Sequence, residues 1–138
     1  MSRYVRVTAS ALGDLEEVAR GLAELGLPVQ RGRGHGPRAR VMLEGSVECP
    51  GEPVDLRLPA GTLDAVEDFG FVLDEGAVRL VCGELDRTLL EASLLPPLER
   101  AVGELRVRRA AASAGLEVEA IESSRAADGR RRLVLRRR

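Results

Sequence analysis

Leu116-Glu117-Val118-Glu119-Ala120, resumed after Asp128-Gly129 by Arg132-Leu133-Val134-Leu135-Arg136, is the stretch that decides the fold. Aliphatic and charged residues alternate in both runs, the period of a strand with one apolar side, and Asp-Gly is a strong turn signal between them, so the segment reads as a β-hairpin. Upstream, residues 86–114 carry helical spacing, and Gly115 supplies the residue that ends a helix.

Within that helical region Leu89, Leu90, Leu94, Leu95, Leu98, Val102 and Leu105 recur at intervals suited to one helix face. Pro96-Pro97 cannot lie inside an uninterrupted helix, where forcing one costs about 3 kcal/mol or more. The spacing therefore predicts a short helix to Leu95 and a longer one from Pro97, with Leu98, Ala101, Val102, Leu105, Val107 and Ala112 toward a sheet and Arg106, Arg108 and Arg109 solvated.

The N-terminal part repeats this grammar. Tyr4, Val5 and Val7 with Arg6 and Thr8 predict a first strand. Ser10 or Asp14 can cap a helix whose Leu12, Leu15, Val18, Ala19, Leu22 and Leu25 form an apolar stripe. Gly26 ends it as Gly115 ends the later one: Glu24-Leu25-Gly26-Leu27 and Ser113-Ala114-Gly115-Leu116 occupy corresponding places. The middle is strand-rich, with Val41-Met42-Leu43 and Val54-Asp55-Leu56-Arg57-Leu58 as extended runs around Pro50-Gly51-Glu52-Pro53. Residues 63–69 have only weak helical spacing. Phe69, Phe71 and Leu73, then Glu75-Gly76, then Val78, Leu80 and Cys82 predict a second hairpin, and Gly70 between two phenylalanines marks a bulge or the close approach of another backbone. The expected fold is α+β: an antiparallel sheet with helices packed on one face, in a duplicated βαββ, ferredoxin-like arrangement with pseudo-repeat halves at about 1–60 and 61–138 of one domain.

A chain of 138 residues that is 44% hydrophobic can bury roughly two-thirds of the surface it exposes unfolded. Acids and bases nearly cancel, 22 against 21, so the whole molecule has no electrostatic bias toward nucleic acid or membrane. The distribution is uneven. Every basic residue is arginine, and from Ala101 onward ten arginines face five acids, whereas acids gather in 43–75. Cys49 and Cys82 fit neither a disulfide framework nor a zinc ribbon; Cys82 reads as a small buried hydrophobe and Cys49 as a loop thiol. The N-terminus lacks the apolar core of a signal peptide and no apolar run approaches the ~20 residues that cross a bilayer, so a cytoplasmic protein is expected.

Candidate site residues follow from the arginines. Arg31-Gly32-Arg33-Gly34-His35-Gly36-Pro37-Arg38-Ala39-Arg40 could form an anion-binding loop through Arg31, Arg33, His35, Arg38 and Arg40, although it lacks the lysine and Ser/Thr of a nucleotide-triphosphatase loop. The alternative is a solvated connection. His35 has no second histidine with which to share a metal. The closing Arg130, Arg131, Arg132, Arg136, Arg137 and Arg138 flank a terminal strand, guarding its edge while favouring an acidic partner. Asp68, Asp74, Glu75 and Glu84 lie near one hairpin, yet nothing in the sequence separates their acidities, so no catalytic residue, metal ligand or cofactor is assigned.

Met1-Ser2-Arg3-Tyr4, the helix ending in Leu25-Gly26, Arg33-Gly34-His35-Gly36, Val54-Asp55-Leu56, Asp68-Phe69-Gly70-Phe71, Leu80-Val81, Gly115-Leu116-Glu117-Val118-Glu119 and the terminal Asp128-Gly129 with Arg132-Leu133-Val134-Leu135-Arg136-Arg137 together resemble the hypothetical chloroplast reading frame thirty-five family of plastids, cyanobacteria and other bacteria. The resemblance runs through nearly the whole chain. It departs at Arg3-Tyr4, where the family has His-Phe, at Glu99-Arg100-Ala101-Val102, where it has Gln-Arg-Tyr-Ala, and in an insertion between Arg40 and Val54. The resemblance implies a small accessory protein working beside AAA+ ATPases and other small partners, with no enzyme activity to transfer. Three classes of function are then open: a non-catalytic adaptor that binds a protein partner, a binder of nucleic acid or nucleotide phosphate through the arginine-rich segments, and an enzyme. One tyrosine and two phenylalanines offer few stacking platforms for a single strand, which favours the first.

Overall fold

The computed structural model describes residues 3–32, 40–45, 51–123 and 131–137. Strand β1 (Tyr4–Thr8) leads through a 3₁₀ turn at Ser10–Leu12 into helix α1 (Leu15–Glu24). Asp14 caps that helix by accepting the Glu17 amide at 2.8 Å, and Glu16 and Glu17 place negative charge against its positive end. Then come β2 (Gln30–Arg31), β3 (Val41–Met42), β4 (Pro53–Val54), β5 (Leu56–Leu58), β6 (Phe69–Asp74) and β7 (Ala77–Gly83), helices α2 (Arg87–Ser93) and α3 (Leu95–Ser113), and strands β8 (Leu116–Ser123) and β9 (Arg131–Arg137). The prolines fall in the first turn of α3, so the helical region breaks as their chemistry requires, with Leu94 at the joint.

Five strands pair antiparallel in the order β1-β7-β6-β5-β2. The β6–β7 hairpin turns through Glu75 and Gly76, with φ of 51° and 77°, as a two-residue turn of this hand needs. Along each strand alternate residues serve two different cores. On the helix side Leu56, Leu58, Phe69, Phe71, Val78, Leu80 and Cys82 pack with Val18 and Leu22 of α1, Leu90 of α2, and Leu94, Leu98 and Val102. On the other side Tyr4, Val72 and Val81 pack with Leu43 and Val54. A short antiparallel ribbon, β3 with β4, therefore covers the sheet face that the helices leave.

The predicted run from Val54 to Leu58 divides at Asp55, where the chain passes from the ribbon into the sheet. The Asp55 amide donates to the Phe71 carbonyl at 2.9 Å, and its carboxylate accepts the Leu73 amide at 2.8 Å, replacing ladder bonds lost at the step. Gly70 stands where this crossing presses closest: a Cβ there would lie 2.1 Å from the Leu56 carbonyl oxygen, so the glycine marks the backbone approach that the sequence suggests.

The α+β class and the antiparallel sheet with helices on one face are as expected, but the order of elements does not confirm a duplicated βαββ arrangement. Strands β1, β2 and β5 of the first half flank β6 and β7 of the second in one sheet, and β8 pairs with β9 as a separate two-stranded sheet. The helix ends do match, Gly26 and Gly115 having φ of 72° and 74°. In α3 burial is confined to Leu98, Ala101, Val102 and Ala111; Val107 and Ala112, expected toward the sheet, are exposed, and Leu105 is half-buried. The second half of α3 carries the chain beyond the helix-side core before the last hairpin begins.

Candidate functional site

The hairpin β8–β9 combines a strand that has one partner among the described residues with a concentration of charged positions. Its register sets Leu116 opposite Arg137, Glu117 opposite Arg136, Val118 opposite Leu135, Ala120 opposite Val134, Ile121 opposite Leu133, Glu122 opposite Arg132 and Ser123 opposite Arg131. The register shifts between Val118 and Ala120, so β8 has one extra residue there, the signature of a bulge. That shift brings Ile121 into the row of Leu116, Val118, Leu133 and Leu135, while Glu117, Arg136, Glu122 and Arg132 occupy the other row around Ala120 and Val134. By register the first row also holds Arg137 opposite Leu116 and Arg131 opposite Ser123 at its two ends, and the second holds two acid–arginine cross-strand positions. Among the described residues β9 pairs with β8 alone, so its second edge is unpaired. Arg131, Arg132, Arg136 and Arg137 lie on that strand; Arg130 and Arg138 lie outside the described residues.

In the other arginine-rich stretch the described arginines are Arg31 and Arg40. Arg31 forms a forked pair with Glu16, at 2.8 and 3.4 Å, and the Arg31 hydrogen bond and charge hold the Glu16 carboxyl below its ordinary value. Arg40 lies 3.5 Å from Asp55. Both ends of the stretch are therefore drawn to acids of the same chain. Arg33, His35, Arg38 and also Cys49 lie outside the described residues.

The hairpin carboxylates are not brought together as an acid–base pair. Asp74 sits between Arg6 at 3.1 Å and Arg79 at 3.5 Å, Glu84 faces Arg3 at 3.4 Å, and Glu75 is exposed in its turn. Asp68 is buried and accepts from four donors: Tyr4 Oη at 2.5 Å, the Glu44 amide at 2.6 Å, Arg57 Nε at 2.8 Å and the Gly45 amide at 3.3 Å. Burial pushes its carboxyl up, but the hydrogen bonds from Tyr4, the Glu44 amide, Arg57 and the Gly45 amide outweigh burial and hold it below its ordinary value. Arg57 Nη1 also donates to Gln30 Oε1. This network joins β1, β2, β5 and the ribbon beneath which it lies, so its chemistry is that of a fastening. Sequence reasoning missed it because a polar residue within a strand usually marks the wet side; the available signal was Arg57 flanked by Leu56 and Leu58.

Two further carboxylates are structural. Glu17 accepts Arg106 Nε at 2.5 Å and lies 3.8 Å from Arg109, tying α1 to α3, while Arg106, Arg108 and Arg109 are exposed as expected. Asp86 accepts the amides of Val66 and Glu67, each at 2.9 Å. Cys82 is fully buried as expected, and burial, then the charge of Asp86, pushes its thiol up to about 11. Among the described residues no three His, Cys, Asp or Glu side chains gather in a way that could hold a metal ion, and no helix is long and apolar enough to cross a membrane. A cleft of about 120 Å³ lies between α1 and α3, lined by Glu24, Leu25, Pro97, Arg100, Glu104 and Arg108 among others, and two shallower, more open hollows of about 440 and 420 Å³ lie beside Arg20 and Ala23 of α1.

No protein-family model, curated protein or solved structure matches the chain.

Proposed function

We propose that this protein is a non-catalytic accessory or adaptor module that holds a protein partner at its terminal hairpin. The observation that carries the reading is that β9, a seven-residue strand with arginine at four positions, pairs among the described residues with β8 alone and lies outside the five-stranded sheet. An open edge offers main-chain hydrogen bonds to another extended chain, and its charges select an acidic one. The resemblance to the plastid and bacterial family adds an AAA+ ATPase or a small accessory protein as the class of partner, and a cytoplasmic setting is part of the proposal. The matching helix ends at Gly26 and Gly115 support the proposal that the two halves descend from a duplicated βαββ unit.

Binding of nucleic acid or nucleotide phosphate is the weaker reading, because Arg31 and Arg40 are already engaged by Glu16 and Asp55. The test is affinity purification from the native source with the whole chain, with a chain lacking residues 130–138, and with Arg132→Glu/Arg136→Glu. Loss of the same co-purifying protein in both variants, with unchanged circular dichroism, is expected. Retention of that protein by a folded truncation would remove the reading.

A further inference from the structure

The adaptor reading leaves open which strand takes the edge of β9. Resting on that reading, we infer that the occupant is an extended acidic–aliphatic segment of a different protein, added beside β9, and not a second copy of this chain.

The intramolecular pairing supplies the template. Across from β9, strand β8 places Glu117 opposite Arg136 and Glu122 opposite Arg132, with aliphatic residues opposite Leu133, Val134 and Leu135. A regular strand on the free edge, needing no bulge, satisfies the same positions with two acids four residues apart and three β-branched residues between them. Each of Arg132 and Arg136 would then hold a cross-strand position between two acidic positions, one on β8 and one on the added segment. The charges suit this: β9 carries four arginines where β8 supplies three glutamates.

Self-pairing fits poorly. A two-fold β9–β9 contact in full overlap, centred on Val134, sets Arg132 opposite Arg136 and Arg131 opposite Arg137, each twice. A two-fold β8–β8 contact in full overlap sets Glu117 opposite Glu122, twice. Pairing β8 of one copy with β9 of another matches charge but leaves a free edge at both ends, so it builds an open chain of molecules and not a closed dimer. The edge strand β1 carries a single arginine, Arg6, so it offers an acidic segment no pair of basic positions four residues apart.

The experiment titrates the full chain into a fluorescein-labelled peptide containing Glu-Val-Thr-Val-Glu and follows anisotropy. Binding is expected to weaken about tenfold or more for Arg132→Glu/Arg136→Glu and to recover when the same variant meets Lys-Val-Thr-Val-Lys. Methylating alternate peptide nitrogens, which removes main-chain donors, should abolish it. Equal binding of a peptide with its two acids adjacent, or no effect of the charge reversal, overturns the inference. Sedimentation should show a monomer at tens of micromolar; a dimer dispersed by the charge reversal overturns the choice of occupant. Absent peptide binding, together with partner loss on deleting residues 130–138, overturns strand addition and leaves the adaptor reading standing. Peptide binding by the whole chain, with the natural partner retained by the truncation, supports strand addition and overturns the adaptor reading.

Discussion

Replacing Asp68 with alanine removes the one acceptor shared by Tyr4 Oη, the amides of Glu44 and Gly45 just after β3, and Arg57 Nε. A typical hydrogen bond contributes only about 1 kcal/mol net, but a buried donor left without its acceptor costs about 1–3 kcal/mol, and breaking a buried ion pair from one side costs about 3–5 kcal/mol. Arg57 is 8% exposed and would keep only the well-exposed Glu44, 3.7 Å away, as a counter-charge, so the higher range applies. The expected loss is therefore about 3–5 kcal/mol, a large share of the 5–15 kcal/mol that holds a typical domain together, with a fall in Tm on the order of 10 °C or more. Urea denaturation of the wild type, Asp68→Ala and the double variant Asp68→Leu/Arg57→Met measures it. The double variant is expected to lose less than the single one, since it leaves no unpaired buried charge. A loss below about 1 kcal/mol for Asp68→Ala would refute the view that this carboxylate fastens the ribbon to the sheet. The sign with pH is also fixed: the folded carboxyl is held below its ordinary value, so its contribution is present above about pH 4 and is lost as pH falls through the lowered folded value.

Three more outcomes are expected. Gly70→Ala should destabilise by about 1–3 kcal/mol in the same assay, because the new methyl meets the Leu56 carbonyl and backbone gives way poorly; an unchanged midpoint would contradict the close approach. The Cys82 thiol should resist iodoacetamide until the chain unfolds, read by mass mapping, and because its folded pKa is raised, stability should hold below about pH 9 and fall as pH rises toward 11. Arg31→Ala should shift stability by no more than about 0.5 kcal/mol, since both it and Glu16 are well exposed; a loss of several kcal/mol would make that stretch a structural clasp.

Local features were the legible part of the sequence. The β6–β7 hairpin is written in alternation around Glu75-Gly76, the helix stops in Gly26 and Gly115, the helix break in Pro96-Pro97, and the crowding at position 70 in its glycine. Each depends on a few neighbouring residues and on rules of φ, ψ and period. What was illegible depends on distant partners. Nothing local in Val54-Asp55-Leu56 says that one valine belongs to a ribbon and the next leucine to a sheet; the Leu73 amide and the Phe71 carbonyl, which make that step tolerable, lie sixteen or more residues away. The Tyr4–Asp68 bond spans 64 residues. The terminal hairpin itself was readable from alternation, but its separation from the main sheet was not, because an alternating strand satisfies its pattern equally well in either place. Of the candidate site, the basic strand was visible as composition, whereas the pairing of Arg31 and Arg40 with Glu16 and Asp55 required the fold.

Amide hydrogen exchange of the whole chain, free and with the Glu-Val-Thr-Val-Glu peptide, is the most direct test of an adaptor that works through strand addition. Protection should rise at alternate amides within 131–137 and stay unchanged across Tyr4–Thr8 of β1. Protection that appears on β1, or on α1 and α3, with β9 unaltered would contradict it.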